Sequence, residues 1–297
     1  MPPCFAIPSK HLWVLSCAAL MIVAAASARA TDAAHGVDTE HLFGFTEGSD
    51  IGGPGETELE SETTARLGKR GGRYRAADSA LVLKLPLSDR FRIAPGVSFA
   101  AYDIGGVPGF GDREIMALAG AFLEARTRIL VRDAAPFGLT LNTIVSANRV
   151  DATTGLGTRG LGAEVGLLID REIVPGRVVA GLNLVYALGQ SRLDGIDGLQ
   201  RASGLEVSGA VAARFAPGLF LGIEARYARA YTGMALDGFA GDAVYLGPTF
   251  YKELTDTTWI SLAWGTQVAG SEAGLGEDRD LSNFDRHQAR LRIGTHF

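Results

Sequence analysis

The closing stretch Gln288-Ala-Arg-Leu-Arg-Ile-Gly-Thr-His-Phe297 decides the fold. Ala289, Leu291, Ile293, Thr295 and Phe297 alternate there with Gln288, Arg290, Arg292, Gly294 and His296. Successive side chains of a strand point to opposite faces, so this segment is a strand with one apolar and one charged face. The period of two fits twelve segments: 57–68, 74–86, 91–103, 114–130, 137–149, 160–172, 177–189, 204–215, 219–231, 242–252, 258–268 and 285–297. Ten strands, or fourteen if residues 31–55 also pair, are compatible with boundaries good to about three residues.

The joins between segments alternate in kind. Short turns fall at 87–90, 132–136, 174–176, 216–218 and 254–257, whereas the joins at 69–73, 104–113, 150–159, 190–203, 232–241 and 269–284 are mostly longer and richer in glycine and aspartate. An even strand number with short turns at one end and long loops at the other describes an antiparallel up-and-down barrel spanning a bacterial outer membrane, with the turns in the periplasm.

The first thirty residues fit that destination. Lys10 and His11 precede an apolar run over 12–26, and Ala28-Arg29-Ala30 is a small-x-small cleavage site, the pattern of an export signal. The expected organisation is a signal peptide at 1–30, an irregular segment at 31–55 and the barrel at 56–297. Residues 31–55 show no sustained period and are expected either loose in the periplasm or tucked into the barrel mouth. Cys4 and Cys17 both fall in the signal, so the mature chain has no disulfide framework or thiolate metal site. The formal net charge of −5 becomes −7 once the signal's Lys10 and Arg29 are gone, which argues against a nucleic-acid binder.

Aromatic residues support a lipid setting. Phe91, Phe137, Phe215, Phe250 and Phe297 lie at the turn-side ends of strands on the apolar face, with Phe220 on the other face; Tyr102, Tyr186, Tyr227, Tyr231 and Trp264 gather toward the loop side. Two belts of rings flanking an aliphatic band are the girdles of a barrel in lipid. The signal, the strand-turn-loop rhythm and the terminal Phe297 together resemble Gram-negative outer-membrane β-barrel proteins over residues 57–297. The Phe250-Tyr-Lys and Asn283-Phe-Asp-Arg-His-Gln-Ala-Arg stretches look like an uncharacterised proteobacterial group. The resemblance implies that the last strand is the address read by the barrel assembly machinery, although Gly294 and Thr295 depart from the commonest form of that signal. It also implies outer-membrane lipid and lipopolysaccharide as surroundings.

With the apolar parity outward, the inner parity carries Glu60, Glu62, Arg126, Glu164, Glu224, Arg226, Arg290 and Arg292 as lumen-lining residues. Closure sets Glu60 and Glu62 beside Arg290 and Arg292, where opposite charges attract across the seam. Twelve strands lie between barrels filled by side chains and barrels with a water-filled channel. The expected function is a narrow passive channel for small polar solutes. The alternative is a non-conducting structural or surface-binding barrel, filled by those side chains or by residues 31–55.

Other motifs read as local structure. Gly155-Leu-Gly-Thr-Arg-Gly160 matches G-x-G-x-x-G in letters but joins two strands rather than a strand and a helix, so no nucleotide site is expected. Ser282, Asp285 and His287 cluster near the last loop, where a lipid hydrolase would need its base within reach of the nucleophile; a polar rim is the expected reading. Asp50 with Glu56, and Asp278 with Asp280, lack the ligand density of a calcium loop. Lys69, Arg70, Arg73 and Arg75 form a basic first loop suited to phosphates. His35, His41, His287 and His296 are too scattered in sequence to suggest a metal site. No covalent chemistry, metal or cofactor is expected.

Overall fold

A computed structural model describes residues 37–297, so the expected signal peptide at 1–30 and residues 31–36 lie outside the described residues. The described chain folds into twelve strands: β1 Glu58–Leu67, β2 Arg73–Ser88, β3 Phe91–Gly105, β4 Arg113–Leu130, β5 Gly138–Val150, β6 Gly157–Val174, β7 Val178–Leu193, β8 Gln200–Ala216, β9 Leu219–Tyr231, β10 Phe239–Glu253, β11 Thr258–Glu272 and β12 His287–His296. Each pairs antiparallel with its chain neighbours, and β1 pairs with β12 to close the barrel. Closure leaves no strand edge with unpaired backbone groups, which a hydrocarbon environment requires.

The turn-side strand ends match the alternation closely, but several loop-side ends run further than the pattern indicates. Strand β7 continues to Leu193 and β8 begins at Gln200. The added residues Gln190-Ser-Arg and Gln200-Arg-Ala-Ser are polar on both faces. Backbone pairing there continues beyond the stretch in which lipid dictates an apolar face.

The outward face is apolar and exposed: Leu182 and Leu184 on β7, Val207 and Val211 on β8, Ile223 on β9, and Leu262 on β11. Phe91, Phe137, Phe215 and Phe297 are also exposed, at the turn-side rim. Tyr227 and Trp264 stay outward and exposed near the loop side. Tyr102 does not. It points into the barrel with Tyr74, Ile104 and Val150, where its hydroxyl donates to the carbonyl of Asp151 in the β5–β6 loop. The inner wall needs rings at that level because this loop folds over it: a Cβ on Gly155 would come within 2.8 Å of the Tyr102 ring.

Introducing Leu182→Arg, on the lipid face near mid-strand, should destabilise the barrel by about 2–4 kcal/mol. Denaturant unfolding in lipid vesicles measures this, with the loop-tip variant Leu275→Arg as the reference expected to change stability little.

Candidate functional site

Seven of the eight expected residues, Glu60, Glu62, Arg126, Glu224, Arg226, Arg290 and Arg292, are engaged in ion pairs. Arg292 Nε lies 3.1 Å from Glu60 Oε1 and Arg290 Nη2 lies 3.4 Å from Glu62 Oε1, across the β1–β12 seam. Glu62, Arg290 and Glu206 keep some solvent exposure within the bore. Arg126, Glu224, Arg226, Glu60 and Arg292 are buried. What buries them is the N-terminal segment.

Residues 37–51 enter the turn-side half of the lumen as irregular chain, with Leu42, Phe43, Thr39, His41, Thr46 and Ile51 almost wholly buried. Of the two placements open from the sequence, the segment takes the one inside the barrel. Irregular backbone can be buried only if its polar groups find partners, and here the wall supplies them. Glu224 Oε2 accepts from three successive amides, Gly44 (3.2 Å), Phe45 (2.8 Å) and Thr46 (3.1 Å), so the backbone forms a nest around one carboxylate oxygen. Asn183 accepts from the Glu47 amide at 2.7 Å and donates to the Glu47 carbonyl at 2.8 Å. Asp170 accepts from the Ser49 amide and the Thr39 hydroxyl, both at 2.5 Å.

Charge and shape complement these bonds. The segment offers acids and the turn-side wall offers bases. Glu40 holds Lys84 (2.7 Å) and Arg92, Glu47 holds Arg126, and Asp50 lies 2.9 Å from Arg132. Each pairing matters because an unpaired buried charge costs several kcal/mol. Phe43 and Leu42 pack with Val179, Ala210, Ala212, Phe220, Tyr251 and Trp259, an apolar patch on an otherwise charged wall. Gly181 leaves room for this packing, since a Cβ there would meet the Phe43 ring at 2.7 Å. The guanidinium groups of Arg226 and Arg290 lie 3.7 and 4.4 Å from the Phe45 ring centre, two cation–π contacts. The sequence carried a signal for this seat: Phe220 falls on the wrong parity for lipid, and Leu42-Phe-Gly-Phe45 is the most apolar part of the N-terminal segment.

The loop side is also narrowed. The β11–β12 loop turns inward, where Asp285 lies 3.2 Å from Lys69 and its carbonyl accepts from Tyr245 at 2.7 Å. Lys69 is therefore a buried partner of that loop rather than a solvated base. Asp285 faces inward, whereas His287 faces outward, its Nδ1 lying 3.1 Å from Thr266 Oγ1. Ser282, Asp285 and His287 are thus not assembled into a relay. Asp50 and Asp280 are tied to Thr39 and to the amides of Ser282 and Asn283, not splayed in solvated loops. Gly155 and Gly157 serve the β5–β6 loop and the start of β6, as expected. The histidines correct a second expectation. His41 and His296, distant in sequence, converge on Glu58.

A closed barrel with an apolar outer face, a charged bore and girdling rings defines an outer-membrane β-barrel protein. The chain belongs to DUF6662, a family of unknown function, which matches residues 35–297. No curated protein matches it. Among solved structures it is similar to the COG4313 outer membrane channel from Pseudomonas putida F1, with 13% identity over 84% of this chain and 98% of that one and a TM-score of 0.59. It also resembles the NanC porin (10% identity, 80% and 98% covered, TM-score 0.47) and LpxR from Salmonella typhimurium (13%, 81% and 100%, 0.45). At these identities the likeness is one of fold.

Docking of the segment should depend on pH. Burial pushes the Glu47 carboxyl up, but the guanidinium groups of Arg126, Arg292 and Arg290 outweigh it and hold the pKa at about 2. An undocked Glu47 would return to its ordinary 4.5, so its contribution is complete above that value and is lost as pH falls toward 2. A nitroxide at exposed position 38 (Asp38→Cys) should be immobile at pH 6 and gain mobility between pH 4.5 and 2. Glu47→Gln should loosen it at pH 6 and shrink the acid-induced change.

Proposed function

We propose that this protein is a passive channel for small polar solutes, held shut at its periplasmic end by residues 37–51. The observation carrying this is that the plug is held by hydrogen bonds and ion pairs to a wall that is itself charged. A barrel needing only a permanent filling could use apolar side chains, as small barrels do, whereas a polar seat can be rewetted when the plug leaves. Beyond the plug, Glu62, Glu206, Arg290 and Glu164 would set a mixed-charge path for a solute. The alternative, a non-conducting barrel, draws on the same occlusion.

The surroundings expected from the sequence are part of this proposal. The apolar outer face would meet outer-membrane lipid, and Arg70, Arg73 and Arg75 at the loop side would meet lipopolysaccharide phosphates. Strand β12 would be recognised by the assembly machinery. Its departure from the usual signal at Gly294 has a local cause, because Trp259 of β11 lies across it and a Cβ would meet the indole at 2.5 Å.

Planar-bilayer recording on purified protein separates the two readings. Intact protein should be largely silent. Glu224→Ala, which removes the acceptor of three plug amides, should give open-channel steps. Removing residues 37–51 from the mature chain should give the same steps. Silence of Glu224→Ala in a folded barrel would support the structural barrel instead.

A further inference from the structure

The geometry points to a zinc-class divalent metal site formed by His41, Glu58 and His296 at the periplasmic end of the seam. His41 belongs to the plug, Glu58 opens β1 and His296 closes β12. His41 Nε2 lies 3.0 Å and His296 Nε2 lies 3.1 Å from the same carboxylate oxygen, Glu58 Oε2. One donor atom from each of the three falls within 4.8 Å of the others. Two imidazole nitrogens and one carboxylate oxygen are the borderline-soft donor set that zinc takes, with bonds of about 2.0–2.2 Å.

A second, independent feature is the outer shell. A metal-binding histidine usually gives its other ring N–H to a carboxylate or carbonyl, which fixes the tautomer and aims the ligating nitrogen. Each histidine has a carboxylate facing its second ring nitrogen, just beyond hydrogen-bond length, and Arg292 Nη2 lies 3.5 Å from His41 Nδ1. His41 Nδ1 faces Glu60 Oε2 at 3.6 Å, and His296 Nδ1 faces Glu56 Oε1 at 3.7 Å. His41 is also clamped by Trp259, stacked at 3.8 Å between ring centres. The remaining oxygen of Glu58 lies 2.9 Å from Lys84 Nζ. Glu40 Oε2, 3.8 Å from His41 Nε2, stands where a fourth ligand or a bound water would be held.

Local charge favours a cation. Carboxylate oxygens of Glu40, Glu56, Glu58 and Glu60 lie within 3.8 Å of ring nitrogens of the two histidines, against the Arg292 guanidinium at 3.5 Å from His41 Nδ1. A route in also exists, because His296 and Glu56 keep solvent exposure at the periplasmic rim while His41 and Glu58 are buried. A metal here would tie the plug to both strands of the closing seam, a latch in addition to the polar seat. The site does not depend on whether the barrel conducts.

Titration of chelator-stripped mature protein in detergent with Zn2+ alone, followed by calorimetry, tests this. One zinc ion should bind per chain. His41→Ala and His296→Ala should each weaken binding by about 100-fold or more, given that even outer-shell losses cost 10–100-fold. Glu56→Gln should weaken it about tenfold, and His287→Ala, on the lipid face, should leave it unchanged. Retained heat-modifiable gel mobility would show each variant folded. Absence of zinc binding by the intact protein would overturn the site, and so would unweakened binding in either His41→Ala or His296→Ala.

Discussion

The structure depends on the pairing of its first and last strands. In hydrocarbon, an open sheet would leave two rows of backbone groups without partners, and closure removes both. Here the β1–β12 seam also carries side-chain chemistry on its inner face. Glu58 stands opposite His296 and Glu62 opposite Arg292, while Glu60 reaches Arg292 and Glu62 reaches Arg290 along the diagonal, and opposed charges on neighbouring strands fix the register. A slip of one residue would turn the carboxylates into lipid. The same ladder receives His41 from the plug, so closure of the barrel and occlusion of its bore share residues.

The bore is therefore charged and, in its turn-side half, occupied by the N-terminal segment. Its turn-side half divides into an apolar patch for Leu42 and Phe43, a basic arc for Glu40, Glu47 and Asp50, and Glu224 as acceptor for the plug backbone. The apolar contact and the ion pairs differ in how they respond to conditions. The apolar contact is indifferent to pH, the ion pairs weaken as carboxylates protonate, and both persist only while the segment stays threaded inside.

The fold was legible because lipid imposes one rule on every strand. Outward residues are mostly apolar, so the period of two runs from Ala289 to Phe297 with Thr295 as its polar member, and the lumen residues follow by parity. Glu60, Glu62, Arg290 and Arg292 meet across the seam as that rule requires. The plug was not legible in the same way, since irregular chain has no period and its partners come from β1, β2, β3, β4, β6, β7 and β9. The convergence of His41 and His296 was hidden for a related reason: 255 positions separate them in the sequence, and only closure combined with insertion brings them together. Tyr102 misled because it was grouped with the loop-side rings by level alone; its parity, shared with buried Arg92 and Ala100, already places it inside.

The central claim is that the N-terminal segment occupies the bore of the intact protein. Hydrogen exchange of the protein in lipid measures it most directly. The amides of Thr39, Gly44, Phe45, Thr46, Glu47 and Ser49, each bonded to a carboxylate or amide oxygen, should exchange at least about a hundredfold more slowly than free chain, as buried, hydrogen-bonded amides do. Exchange of these six at free-chain rates, with the strands still protected, would contradict it.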